Sequence, residues 1–220
     1  MPSQSFYNFG WNFEDVERLE IAHGQLNPDG QGRRALGHIT RSAMVMLCAA
    51  WELYFEDLII ESVNYINSNL DDPHDLPSPI KKNIIKGLAK DSHELAMFRL
   101  AGDGWKLPLF EMAEKDTEKL NTPKSEQLGV LCKNYLGIEN ISSEWSIGPD
   151  GINEIMTQRG EIAHRGRDAA YIPLWQLVEY KNKINLTVIE TDNYLAGHLK
   201  DLVVSNTQPW RRKAIPEGLL

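Results

Sequence analysis

Arg159 and His164 are the two residues of this chain whose types and spacing suit them to act together chemically. They lie in the run Ile152-Asn153-Glu154-Ile155-Met156-Thr157-Gln158-Arg159-Gly160-Glu161-Ile162-Ala163-His164-Arg165-Gly166. An imidazole titrates near neutrality and serves as a general acid or a general base. A guanidinium stays protonated and offers a planar fork matched to phosphate oxygens. On a helix His164 falls roughly 140° round from Arg159 and about 7.5 Å up the axis. Ile152, Ile155, Met156, Ile162 and Ala163 form one apolar stripe, with Arg159 at its centre. A guanidinium aimed at a core or interface is costly unless it meets a carboxylate, a phosphate or a wet cavity. Spacing alone leaves two readings open. One is a structural Arg paired with a buried Glu beside an exposed His in the last turn. The other is a pair that handles phosphate.

Other chemistries find little support. The chain has no HExxH, no paired CxxC and no GxxxxGK[ST]. Gly102-Asp103-Gly104 lacks the flanking strand and helix of a phosphate cradle and reads as a turn. His23, His38, His74, His93 and His198 each lack a second ligand at i+3 or i+4, so no metal site and no cofactor is expected. Cys48 and Cys132 are too few for a disulfide framework and read as reduced thiols. Asn140-Ile141-Ser142 and Asn185-Leu186-Thr187 match glycosylation acceptors by chance in a chain with no secretory signal. No apolar run is long enough for a membrane span, and a cytoplasmic protein is expected. The net charge is −8, concentrated in residues 1–80, while 159–220 is mildly basic around Arg159, Arg165 and Arg167. This is the pattern of a small basic site on an acidic body.

The elements that must position this segment are helices. No run of alternating β-branched residues bounded by turn dipeptides occurs, whereas periodicities of three and four recur. A first helix is predicted over 13–26, ended by Asn27-Pro28-Asp29-Gly30. The second, over 34–69, carries Leu36, Ile39, Ala43, Met46, Leu47, Ala50, Leu53, Tyr54 and Leu58 on one broad face. Asp71-Asp72-Pro73 stops it. Shorter helices follow near 79–90, 92–101, 108–120 and 124–136, then a loop over 138–148. A helix over 150–165 ends at Gly166, and the last runs from Pro173 to about 204. Residues 10–205 read as a single all-α, up-and-down helical bundle with extra short helices in its middle section, and 206–220 as a loose C-terminal tail. Trp51 and Tyr54 are expected in the core, and Glu52, Glu56, Asp57 and Glu61 on a solvated face, one of them available to hold Arg159. The Arg33-Arg34 and Trp210-Arg211-Arg212-Lys213 clusters read as solvated termini or as phosphate contacts.

The stretch from Arg159 to Gly166 resembles the R-x4-6-H motif of the HEPN superfamily, often seen as R-N-x-I-A-H-G. Arg41-Ser42-Ala43 and the run Ala49-Ala50-Trp51-Glu52-Leu53-Tyr54-Phe55-Glu56-Asp57-Leu58 resemble the second-helix signature of the RiboL-PSP type of HEPN domain. Val16 to Leu26, with His23, is similar to the preceding helix of that group. The resemblance implies a helical-bundle endoribonuclease, usually homodimeric, in which Arg159 and His164 of both copies converge and cut RNA without metal. Supporting roles fall to Glu161, Arg165 and Glu52. A toxin or defence effector with a cognate antitoxin or other partner protein is one role within that class. Family members usually carry a polar residue directly after the Arg, and this chain has Gly160. That departure favours the alternative, a non-catalytic HEPN dimerisation, nucleotide-binding or regulatory module. A purely structural helical protein is the third reading.

Overall fold

The computed structural model describes all residues except 29, 31–34, 90–95, 206 and 220. The first helix, α1 (Gln4–Leu26), begins well before the predicted 13–26, because Ser3 caps it and accepts the Phe6 N–H at 3.0 Å. Phe6, Phe9, Phe13 and Val16 continue one buried stripe through this early stretch. The second helix, α2 (Gly37–Asn69), is the axis of the molecule and packs against α1 and three later helices. Met44, Cys48, Trp51, Phe55 and Ile59 are all buried, whereas Met46 and Leu53, assigned to the apolar face, are exposed. A helix enclosed on nearly every side has no single face for periodicity to find.

Between α2 and the motif segment come short pieces. These are a 3₁₀ turn at Pro73–Asp75, α3 (Ser78–Leu88), 3₁₀ turns at Ala96–Leu100 and Gly102–Trp105, α4 (Lys106–Thr117) and α5 (Ser125–Leu131). The predicted helix over 92–101 lies partly outside the described residues; the part described is the 3₁₀ turn. Helix α5 widens into a π turn at Cys132–Leu136 and stops at Gly137, whose φ is +72°. A Cβ on Gly137 would lie 2.6 Å from Pro77 Cβ, so only glycine fits that crossing. The 138–148 loop holds a 3₁₀ turn at Ile141–Glu144. Then come α6 (Gly148–Arg165), a 3₁₀ turn at Gly166–Asp168 and α7 (Leu174–Leu202). No strand occurs among the described residues, and no helix is long and apolar enough to cross a membrane.

Side-chain pairs give the topology. Ser5 to Glu61, Asn8 to Asp57 and Phe9 to Tyr54 set α1 antiparallel to α2. Ser3 to Asp192 and Lys181 to Glu20 set α1 antiparallel to α7. Ser146 to Glu190 and Tyr180 to Glu154 set α6 antiparallel to α7. The four long helices α1, α2, α6 and α7 therefore run up, down, up, down, with the short helices inserted between the second and third. Trp51, Phe55 and Trp145 stack edge-on where α2 meets the approach to α6, the two tryptophan rings 5.8 Å apart.

The tail beyond 205 is fastened rather than loose. Trp210 is 7% exposed, and its indole N–H donates to the Asp192 carbonyl at 2.9 Å. Arg211 N–H donates to the Met1 carbonyl at 2.8 Å, and Lys213 Nζ lies 4.3 Å from the Phe6 ring centroid. Apolar surface left open by α1 and α7 is what holds it.

Candidate functional site

The first half of α6 is anchored. Ser146 N–H donates to Glu190 at 3.0 Å, just ahead of the helix. Asn153 Oδ1 accepts from both the N–H and the hydroxyl of Ser125, at 3.0 and 3.1 Å, which ties α6 to the start of α5. The Tyr180 hydroxyl donates to Glu154 at 2.7 Å and accepts from Gln176. Ile152, Ile155 and Met156 are buried in the core. The second half leaves that core: Ile162 is half-buried, and Ala163 is exposed. The sequence stripe is thus continuous in pattern but splits in burial.

Arg159 sits at the point where α6 emerges, half-buried. Among the described residues no hydrogen bond or ion pair engages it. Its guanidinium lies close enough to α2 to act on the Cys48 thiol. Burial pushes that thiol up to about 12; the Arg159 charge pulls it down, and Glu52 pushes it further up. Of the four α2 carboxylates, one of which is expected to be available to hold Arg159, none does so by an ion pair. Glu52 accepts the Thr122 N–H, Asp57 accepts from the Asn8 amide, and Glu61 accepts from the Gln4 and Ser5 N–H groups. Glu56 is half-buried, and burial together with the neighbouring Glu52 and Asp57 raises its carboxyl. Glu52 and Glu61 are committed to backbone donors and Asp57 to a side-chain amide, all across contacts between elements, instead of standing free on a solvated face.

His164 is exposed in the last turn of α6. Glu161 is paired with Arg165, Nε to Oε2 3.0 Å one turn on, so neither of these supporting candidates bridges Arg159 and His164. A Cβ built on Gly160 meets nothing within 4 Å, which leaves open space beside the pair. Gly166 ends the helix at φ +53°, its N–H donating to the Ile162 carbonyl. Arg33, Arg34 and His93 lie outside the described residues. The Trp210 cluster serves packing at the far end of the bundle.

Sequence reasoning passed over side chains gathered where α6 ends and α2 begins. Arg41, quoted only as part of a helix pattern, lines a cleft of about 610 Å³ with His38, Arg167 and Tyr171. No carboxylate lines that cleft among the described residues. Spacing offered only part of the signal, since Arg41 is seven residues before Cys48 on the same face of α2; the nearness of Cys48 to Arg159 is a tertiary fact. Antiparallel packing then brings the C-terminal turn of α6 level with the first turns of α2. The result is a cleft with two arginines on an otherwise acidic chain. Among the described residues no group of three or more His, Cys, Asp or Glu side chains is placed to hold a metal ion.

Comparison with known families agrees with this architecture. The RiboL-PSP-HEPN family matches residues 7–197. No curated protein and no solved structure matches the chain significantly.

Proposed function

Because the chain belongs to the RiboL-PSP-HEPN family, we propose that it is a metal-independent endoribonuclease acting through Arg159 and His164. The observation that carries this reading is Arg159 itself, a half-buried guanidinium with no hydrogen-bond or ion-pair partner among the described residues, five residues before an exposed imidazole on the same helix. A fixed cation in that position lowers the free energy of a phosphate and of the phosphorane formed from it.

In the reaction the RNA 2′-oxygen attacks the adjacent phosphorus, and His164 takes the 2′-hydroxyl proton. A second imidazole protonates the departing 5′-oxygen. The products are a 2′,3′-cyclic phosphate and a 5′-hydroxyl. Arg159 bridges the non-bridging oxygens as charge builds on them. One chain supplies a single His in this site, so a C2 homodimer supplies both the base and the acid. The exposed second half of α6 is the surface available for that pairing. A toxin or defence role, with an antitoxin masking this face, is the biological setting that suits such an activity.

The test is incubation of purified protein with a labelled RNA pool, with and without EDTA, alongside its mass by light scattering. Cleavage that survives EDTA, leaves cyclic phosphate ends, comes from a dimer and disappears in His164→Ala is the expected result. Equal cleavage by wild type and His164→Ala, or a requirement for a divalent ion, would overturn it. A second reading, a non-catalytic HEPN dimerisation or nucleotide-binding module, has Gly160 in its favour. No polar side chain follows Arg159, and Glu161 is occupied by Arg165. Absence of any cleavage selects that reading.

A further inference from the structure

Two cavities open side by side at the end of the bundle where α1 and α6 finish and α2 and α7 begin. The smaller, about 250 Å³, is lined among the described residues by His23, Asn27, Leu36, Tyr171 and Leu174 together with two glycines. The larger is the basic cleft of Arg41, Arg167 and His38, and it shares Leu36 and Tyr171 with the smaller one.

Two residues that line the smaller cavity each bury a polar atom without a partner among the described residues. His23 is 7% exposed and buries Nδ1 with no hydrogen-bond partner among the described residues. Asn27 buries Oδ1, also with no partner. Ser62 Oγ, Asn67 Oδ1 and Trp105 Nε1 are orphaned elsewhere, but His23 and Asn27 line one cavity together. Buried polar atoms are nearly always bonded, so two orphans on residues that line one cavity call for an occupant. A water molecule takes about 30 Å³, and this cavity is far larger than one bridging water needs.

The larger cleft is built for an anion. A Cβ on Gly37 would lie 3.1 Å from Arg41 Nη1 and 3.3 Å from Tyr171 Cδ2. Glycine at that position lets the guanidinium and the aromatic ring close on the first turn of α2. The fork, the ring and the positive end of a long helix then face one space.

We propose that the two cavities form one nucleotide subsite for single-stranded RNA. The smaller takes an unstacked base against Tyr171, read by His23 and Asn27, and the larger takes its phosphate between Arg41 and Arg167. Asn27 Oδ1 accepts a hydrogen bond, so it selects a base with an exocyclic amine. His23 Nδ1 donates to or accepts from the neighbouring ring nitrogen according to its tautomer. Adenine and cytosine satisfy the pair, and uracil, which has no exocyclic amine, does not. Reading single-stranded RNA by splayed bases on aromatic and polar side chains is a general mode of recognition. The assignment rests on the proposed RNA-cleaving function for the identity of its ligand. In that setting it sets a base preference at the end of the bundle where α6 finishes.

The test uses the His164→Ala protein, in which RNA stays intact, and fluorescence anisotropy with labelled oligo(A), oligo(C) and oligo(U). Oligo(A) and oligo(C) are expected to bind about tenfold tighter than oligo(U). His23→Phe and, as the milder change, Asn27→Ala should abolish that preference while leaving oligo(U) affinity in place. Arg41→Ala and Arg167→Ala should weaken all three oligomers alike. Thermal melts identify any variant that fails to fold, and Asn27→Ala decides if His23→Phe does. Equal binding of the three oligomers, or a preference that persists in Asn27→Ala, overturns the subsite and leaves the orphans to water. AMP binding as tightly as oligo(A) overturns the RNA assignment in favour of a free nucleotide. If wild type never cleaves but the amine preference exists and depends on Asn27, the subsite stands and the nuclease reading falls. If wild type cleaves but binding is uniform, the reverse holds.

Discussion

Where α1 begins, carboxylates and donors meet across the helices. Glu61 accepts from the Gln4 and Ser5 N–H groups, each at 2.9 Å, and the Asn8 amide donates to Asp57 at 2.7 Å. Ser3 donates to Asp192, and Trp210 closes over the same place. Where α1 ends, several polar side chains lack such partners. Among the described residues His23 and Asn27 bury unbonded atoms, Arg159 has no counter-ion, and the neighbouring cleft carries Arg41 and Arg167 with no carboxylate in its lining. Both ends belong to the same helices, so composition does not separate them. What differs is whether the polar groups meet one another. At the first end their interactions stabilise the fold; at the second they are left for something outside it.

The largest expected effect sets chemistry against stability. His164→Ala removes proton transfer and should lower cleavage by about 10²–10⁴-fold. Because His164 is exposed and unbonded, the melting temperature should hardly move. A large drop in melting temperature would place His164 in the structural half of the comparison. Trp210→Ala should do the opposite, destabilising the fold by about 3–5 kcal/mol. Urea unfolding measures that loss, and cleavage below the transition should survive.

Asp192 sharpens the contrast through pH. Burial raises its carboxyl from 3.8 to about 6, against the hydrogen bonds from Ser3 that lower it. A raised carboxyl means that the folded state favours the neutral form. Its contribution is therefore present below pH 3.8 and is lost as pH rises through about 6. The span amounts to about 3 kcal/mol. Asp192→Asn stays neutral throughout, so it should gain on wild type as pH goes from 4 to 7. Urea midpoints at the two pH values check this, and a constant gap between the proteins would refute it.

The smallest effect concerns Gly160. A Cβ there meets nothing within 4 Å, so Gly160→Ala should stabilise α6 by about 0.5–1 kcal/mol. Gly160→Asn should keep or raise cleavage, since the side chain enters open space beside Arg159. Loss of stability in the alanine variant would show that this space is filled when a second copy docks.

Much of the architecture was legible before any tertiary contact was known. Helix α2 ends at Asn69 as predicted, α6 ends at Arg165 against Gly166, and α7 starts directly after Pro173. These follow from periodicity and from caps, which act between residues a few positions apart. The R-x4-H pair was legible for the same reason, because one helix carries both residues. The early start of α1 was legible too, in Ser3 and the Phe6, Phe9, Phe13 stripe, though it was passed over. Tertiary structure alone decided the rest. That Glu52 is taken by Thr122 and not by Arg159 depends on how the loop before α5 crosses α2. That His23, Asn27, Leu36 and Tyr171 share a cavity depends on two helix connections meeting at one end of the bundle. Local sequence determines where a helix runs and which side of it is apolar. Which polar groups find partners is a long-range outcome, settled only when helices distant in the chain come into register.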